Sequence, residues 1–285
     1  MHHNSSMRHT TALSVAAAAV FLAVFPALAE RPAVPVAAPA APVVAAPAVA
    51  PAPKCVVAPD LARFDQPLSR LSLRLSGGLP IKIVAIGSSS TWGMGTTTLA
   101  NSYPSRLQVE LDRHFPGHEF TVINRGVNGE EAVDMLARFE TGVIAENPHL
   151  VIWQVGTNSL LRDRPLDSRD LVLHRGLARL KAIRTDVVLM DPQYAPRVIA
   201  KPAPGAVVSQ IAAAGRQDKV GVFRRYEIMR RWHETEGLPF ESFVTSDGLH
   251  MNDWGYGCLA KTLGFAIAEA ATRPTETASA PPAAR

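Results

Sequence analysis

The feature that constrains this chain most is an alternation of short β-branched runs with longer segments of helical periodicity. The runs are Ile81 to Ile86, Phe120 to Asn124, Leu150 to Val155, Val187 to Met190 and Lys219 to Val222. Between them, Tyr103 to Phe115 places Leu107, Leu111 and Phe115 at helical spacing, and Asp167 to Ile183 carries Leu171, Leu177 and Leu180. Strand, helix and strand in succession require crossover connections, and crossovers make a parallel sheet. The runs are apolar at consecutive positions instead of alternating, so helices must cover both sheet faces. The expectation is an α/β fold: a three-layer α/β/α sandwich around a mainly parallel five-stranded sheet. A last helix starts near Asn252 or Asp253 and runs through Leu259, Leu263, Phe265 and Ile267.

The ends of the chain read differently from its middle. Arg8 precedes an apolar run from Ala12 to Leu28, and Ala27-Leu28-Ala29 forms a small-x-small pattern before Glu30. Residues 1–29 therefore read as a signal peptide, which makes the expected location periplasmic or secreted. The alternative is an uncleaved anchor, because about 17 apolar residues lie at the short edge of a bilayer span. No later stretch of that length is free of charges, so no stable membrane insertion is expected once the signal is removed. Residues 30–54 are almost wholly Ala, Pro and Val, and their prolines forbid a helix, leaving a semi-rigid spacer of roughly 3.1 Å per residue. Residues 273–285, rich in Pro, Ala, Thr and Ser, read as a disordered tail. What remains, 55–272, is one domain large enough to bury a substantial core.

Charge and cysteine content narrow the partners. The formal net charge is +4, with basic residues scattered along the chain. Arg224-Arg225 and Arg230-Arg231 are expected on solvated surface, and the chain lacks the aromatic interleaving of a nucleic-acid platform, so no nucleic acid partner is expected. Only Cys55 and Cys258 are present, at opposite ends of the domain. In an oxidising compartment they can form a disulfide, with two free buried thiols as the alternative; a metal site is not expected, because neither has His partners nearby.

In open parallel sheets, chemistry sits beyond the carboxyl ends of the strands. The first run leads into Gly87-Ser88-Ser89-Ser90-Thr91-Trp92-Gly93, the second into Asn124-Arg125-Gly126-Val127-Asn128-Gly129, and the third into Gly156-Thr157-Asn158. Ser246-Asp247-Gly248-Leu249-His250 precedes the last helix. Acyl transfer needs a nucleophile, a base, a group that orients the base, and donors for the oxyanion. Ser89 at a strand-to-helix turn is the candidate nucleophile, with Ser88 and Ser90 as alternatives. His250 is the candidate base over His114, His118, His149, His174 and His233, because an acid, Asp247, stands at minus three from it on a loop. The Ser89 and Gly126 N–H groups and the Asn158 amide are candidate oxyanion donors, although Gly126 and Asn158 also suit simple turns. Trp92, Arg125, Gln154, Gln193 and Tyr194 are candidates for the substrate pocket, with structural packing as the competing reading; Trp232 and Trp254 are expected in the core. The Asn124 to Gly129 turn lacks a dinucleotide fingerprint and a Walker lysine, and Thr91 breaks the Gly-x-Ser-x-Gly elbow.

These four clusters, in this order, resemble the blocks of the SGNH (GDSL-type) hydrolase superfamily, named for a Ser, a Gly, an Asn and a His. Ser89 matches the nucleophile, Gly126 and Asn158 match oxyanion donors, and Asp247-x-x-His250 matches the acid and base. The resemblance spans Ile81 to Tyr256 and implies a flavodoxin-like sandwich and a serine esterase that forms an acyl-serine without cofactor or metal. Two positions depart from the pattern: Gly87-Ser88-Ser89 replaces Gly-Asp-Ser, and Gly156-Thr157-Asn158-Ser159 replaces Gly-x-Asn-Asp. Expected substrates are short acyl or acetyl esters on carbohydrate, or lysophospholipid. The alternatives are an O-acyltransferase and a non-catalytic carbohydrate- or cell-wall-binding module. Oligomeric state is not legible.

Overall fold

The computed structural model describes residues 52–166 and 171–273; the expected signal peptide, the linker up to residue 51, residues 167–170 and the tail beyond 273 lie outside the described residues. Five strands form one sheet: β1 (Ile81–Gly87), β2 (Phe120–Gly126), β3 (Leu150–Gln154), β4 (Asp186–Met190) and β5 (Gly221–Phe223). The helices in chain order are α1 (Ser69–Ser76), α2 (Ser89–Trp92), α3 (Tyr103–His114), α4 (Ala132–Ala137), α5 (Phe139–Gly142) and α6 (Thr157–Leu161). They continue with α7 (Val172–Ala182), α8 (Pro196–Ile199), α9 (Pro204–Asp218), α10 (Arg225–Glu234) and α11 (Asp253–Thr272).

The spatial order is β2-β1-β3-β4-β5 and every pairing is parallel. The chain thus crosses from one side of β1 to the other between β2 and β3, which opens a crevice at the carboxyl ends of β1 and β3. Register keeps the strand ends level, with Gly87 opposite Gly126 of β2 and Ile86 opposite Trp153 of β3.

Alternate strand residues feed two separate cores. Ile83, Ala85, Ile152, Val188 and Met190 pack with Leu71, Leu107, Leu111, Trp232, Leu259, Leu263 and Ile267 on one face. Val84, Ile86, Val151, Trp153 and Leu189 pack with Met135, Leu177, Leu180 and Ile211 on the other. A fully buried aliphatic or aromatic side chain of this kind contributes about 1.5–3 kcal/mol, so strands apolar at every position are stable only between two helical layers.

Local details depart from the sequence expectations for identifiable reasons. The fifth strand starts at Gly221, because α9 ends at Lys219 in a left-handed conformation (φ 55°) that no strand can include. Leu171 is not on the apolar face of its helix: it caps α7 at φ 49° and is exposed. Phe265 is also exposed, since Leu259, Leu263 and Ile267 recur every fourth residue and Phe265 falls on the far side of α11. Trp232 is buried and meets Trp254 edge-on at 5.2 Å, as expected of core residues. The largest correction concerns the arginine pairs. Arg225 is 0% exposed, at the start of α10 where β5 delivers it beneath the sheet edge.

Cys55 and Cys258 are bonded, with Cα atoms 5.4 Å apart across a sequence separation of 203. Beside them the Trp254 indole donates to the Pro53 carbonyl at 2.7 Å, so the N-terminal segment is tied to α11 at two points. Reduction, or the Cys55→Ser/Cys258→Ser double variant, is expected to cost about 2–4 kcal/mol and to lower Tm by roughly 5–15 °C. Thermal melts with and without reductant measure this, and superimposable melts would refute it. Among the described residues no helix is long and apolar enough to cross a membrane.

Candidate active site

The turn after β1 separates three consecutive serines by environment. Ser88 is buried, and both its N–H (2.8 Å) and its hydroxyl (3.0 Å) donate to Gln154 Oε1. Ser90 is buried as well, whereas Ser89, the first residue of α2, is half-exposed. Only Ser89 can offer its hydroxyl to a solute. The turn is tight enough to require glycines on two strands. A Cβ on Gly87 would lie 2.1 Å from Thr91 Oγ1 and 2.7 Å from Gln154 Oε1, and one on Gly126 would lie 2.1 Å from the Trp92 nitrogen.

The second half of the site is built within one loop. The Asp247 Oδ1 accepts the Thr245 hydroxyl (2.7 Å) and the N–H groups of Leu249 (2.8 Å) and His250 (2.9 Å), which curls the loop around the carboxylate. Oδ2 then meets His250 Nδ1 at 2.5 Å. Partial burial pushes this carboxyl up, but the His250 ring, the two amides and the hydroxyl reverse that and hold it well below the ordinary carboxylate range. A permanently charged acceptor at Nδ1 keeps the proton there and leaves Nε2 as a base. Nε2 lies 2.8 Å from Ser89 Oγ, across 161 positions of sequence.

The fold holds this loop from outside. The Arg197 N–H of α8 donates to the Gly248 carbonyl at 2.9 Å, and Gln193 Nε2 donates to the Leu249 carbonyl at 3.2 Å. Gln193 Oε1 in turn accepts from Thr157 (2.9 Å) and from Arg225 Nη2 (2.9 Å), while Arg225 Nε donates to the Asp191 carbonyl at 2.9 Å. The other histidines serve elsewhere. His149 Nδ1 accepts the Lys82 N–H at 2.9 Å near the amino end of β1, His174 pairs with Asp218, and the His233 ring stacks on Phe240.

The oxyanion donors need a correction. The Gly126 N–H is committed to the Asn124 side chain at 2.9 Å, and its Cα is pressed against α2, so it acts as a packing glycine. In the same turn Gly129, at φ 79°, has an N–H without an acceptor among the described residues. The usable signal was that this turn holds two glycines, of which the second begins the connection to α4. The Ser89 N–H, at the open start of α2, also lacks an internal partner, as first-turn amides do. Asn158 Nδ2 donates to the Glu130 carbonyl at 2.8 Å, which orients the amide and leaves its second hydrogen available. Glu131, unnoticed in the sequence, secures the next residue: it accepts from Ser159 Oγ at 3.1 Å, from Arg162 at 2.8 Å and from Arg164 at 3.0 Å.

Four of the five pocket candidates are structural. Gln154 supports Ser88 and Thr91, and Gln193 bridges Arg225 to the His250 loop. Arg125 pairs with Glu146, and Tyr194 donates to Glu234 at 2.7 Å within an aromatic cluster with Tyr226 and Phe240. Trp92 stays exposed without such a partner, and the Arg125 side chain keeps 40% exposure beside Glu146. Among the described residues no group of three His, Cys, Asp or Glu side chains could hold a metal ion.

Comparison with known proteins gives this geometry a setting. An acetylxylan esterase from Geobacillus stearothermophilus is 28% identical over 106 residues, which cover 34% of this chain and 48% of that protein. The match thus spans about half the length of the curated relative. Among solved structures, a two-domain esterase active on acetylated mannans, co-crystallised with mannopentaose, superposes with a TM-score of 0.60 at 18% identity over 74% of this chain and 56% of its own. A catalytic mutant of an acetylxylan esterase from Geobacillus stearothermophilus gives 0.57 at 18% identity over 66% and 94%. TesA gives 0.52 at 20% identity over 64% and 95%. At such identities the structural likeness is one of fold. The family itself is shown by sequence: residues 54–273, the sheet and all four clusters included, match the model of the Non-GDSL lipase-like family, and the chain belongs to it.

Proposed function

We propose that the chain is an exported serine esterase of the SGNH type that removes acetyl or other short acyl groups from carbohydrate through an acyl-serine intermediate. The observation that carries this reading is the continuous path from Ser89 Oγ through His250 to Asp247, 2.8 Å and then 2.5 Å. Ser89 Oγ attacks the ester carbonyl carbon as its proton passes to His250 Nε2. The negative oxygen of the tetrahedral intermediate is received by the Ser89 N–H, the free Asn158 amide hydrogen and the Gly129 N–H. Collapse breaks the bond to the sugar oxygen, which leaves with the proton from Nε2. Water then gives a proton to Nε2 and attacks the acyl-serine, releasing the carboxylic acid and restoring the hydroxyl.

The relatives support the substrate class, since those nearby in sequence and in structure carry names for acetylated xylan and acetylated mannan. The disulfide supports export, because such bonds persist in oxidising compartments. The test is release of acetate from acetylated xylan and mannan against release of fatty acid from lysophospholipid. Acetate release alone is the expected result, and fatty acid release alone would overturn the substrate class. Asn158→Ala is expected to lower kcat about 10²- to 10³-fold, the usual loss for one oxyanion donor, and an undiminished kcat would remove Asn158 from the mechanism.

A further inference from the structure

We propose that the Trp92 indole is the platform on which the sugar ring bearing the ester stacks. The identity of the ring rests on the esterase reading, and its place on the geometry around Trp92. Trp92 lies three residues after Ser89 in the single turn of α2, so both side chains emerge from neighbouring positions on one helical face. It is 39% exposed, while Trp153 and Trp232 are 0% and 1% exposed.

That exposure is held in place by the fold. The Trp92 N–H donates to the Ser88 carbonyl at 2.9 Å, and its carbonyl accepts from Asn124 Nδ2 at 3.2 Å. Asn124 Nδ2 also donates to the Thr91 carbonyl at 2.8 Å, and the Gly126 backbone is packed directly against the Trp92 nitrogen. Gly93 then turns the chain away at φ 109°. The backbone is therefore locked on both sides while the indole faces water. The indole N–H has no partner among the described residues.

The fold leaves 39% of Trp92 uncovered three positions from Ser89, where a ligand can complete its burial. An indole has an electron-rich face and a single donor at its edge. A pyranose presents the complement: one face of weakly positive C–H groups, and hydroxyls around the rim. Stacking uses the π face, the indole N–H can donate to a ring hydroxyl, and the acyl group attached to the ring is brought toward Ser89 Oγ. A flat, open platform also suits a ring within a polymer chain, which must enter from the side.

The test uses titration calorimetry of xylopentaose and mannopentaose with the wild type, Trp92→Ala and Trp92→Phe, alongside kinetics on acetylated xylo-oligosaccharide and on ethyl acetate, which has no ring. The expected result is binding of at least one oligosaccharide by the wild type, weakened at least ten-fold in Trp92→Ala and partly restored in Trp92→Phe. The loss of kcat/KM in Trp92→Ala should be at least ten-fold greater for the sugar ester than for ethyl acetate, and carried by KM. Equal losses on both esters, equal oligosaccharide affinities, or no oligosaccharide binding by the wild type would overturn the proposal. Absence of hydrolysis of either ester by the wild type would sink the esterase reading, and calorimetry alone would then decide the role of Trp92.

Discussion

Ser89→Ala and His250→Ala are each expected to lower kcat on acetyl esters by about 10⁴- to 10⁶-fold, with the fold unchanged. The magnitude reflects how the three groups act as a unit. In the proposed mechanism no acyl-enzyme forms without the Ser89 hydroxyl, and without Nε2 the hydroxyl keeps its proton, so the double variant should be little worse than either single one. Asp247→Asn should cost somewhat less, about 10⁴-fold, because the amide can hold the ring but favours the wrong tautomer. Neither Ser89 nor His250 contributes to a core, so the variants should melt within a few degrees of the wild type. Steady-state kinetics and thermal melts decide the matter together. A Ser89→Ala variant that kept a tenth of the rate would show that hydrolysis uses another nucleophile.

The second large effect should be on stability, and should fall on a residue that touches no substrate. Arg225→Ala is expected to cost about 3–5 kcal/mol, lowering Tm by roughly 6–20 °C for a domain of this size. Arg225 is fully buried, and its loss would strand the Asp191 carbonyl and leave Gln193 Oε1 with the Thr157 hydroxyl as its remaining donor. A stranded polar group costs its full desolvation. The damage should extend to catalysis, because Gln193 also holds the Leu249 carbonyl next to His250.

A pH dependence distinguishes this from simple loss of packing. Burial pushes the neighbouring Asp191 carboxyl up from 3.8 to about 7, against the lowering by the Tyr226 N–H and the Arg225 charge. The folded protein therefore holds this proton more tightly than the unfolded chain does. The corresponding stability is present below pH about 4 and is lost as pH rises through about 7. Removing the Arg225 charge raises the folded value further, so the variant should be more destabilised, relative to wild type, at pH 8 than at pH 5. Denaturant titrations at the two values measure this, and a difference independent of pH would count against an electrostatic role.

Much of the proposed site was legible because acyl transfer would demand particular residue types at the ends of strands. Asp247 and His250, three apart, needed only one curled loop to meet, and that loop is made by local amides closing on the carboxylate. Ser89 among three serines was legible only as a position. Burial removes Ser88 and Ser90 from solvent, and Gln154, 66 positions beyond Ser88, occupies the Ser88 hydroxyl. Gly126 shows the opposite case. Its place in a strand-end turn suggested an exposed N–H, but Asn124 two residues earlier takes that hydrogen, and close packing against α2 explains the glycine.

By itself the sequence determined the features that short-range rules dictate: which runs are strands, that both sheet faces are covered, which loops gather at one edge, and that Asp247 serves His250. Periodicity and local hydrogen bonding decide these within a few residues. Only the tertiary structure decided that Arg225 lies inside, that Gln154 and Gln193 support the site from beneath, that Gly129 is open where Gly126 is closed, and that Ser89 meets His250. Those outcomes depend on groups far apart in the chain competing for the same few donors and acceptors, and that competition has no signature in any local stretch of residues.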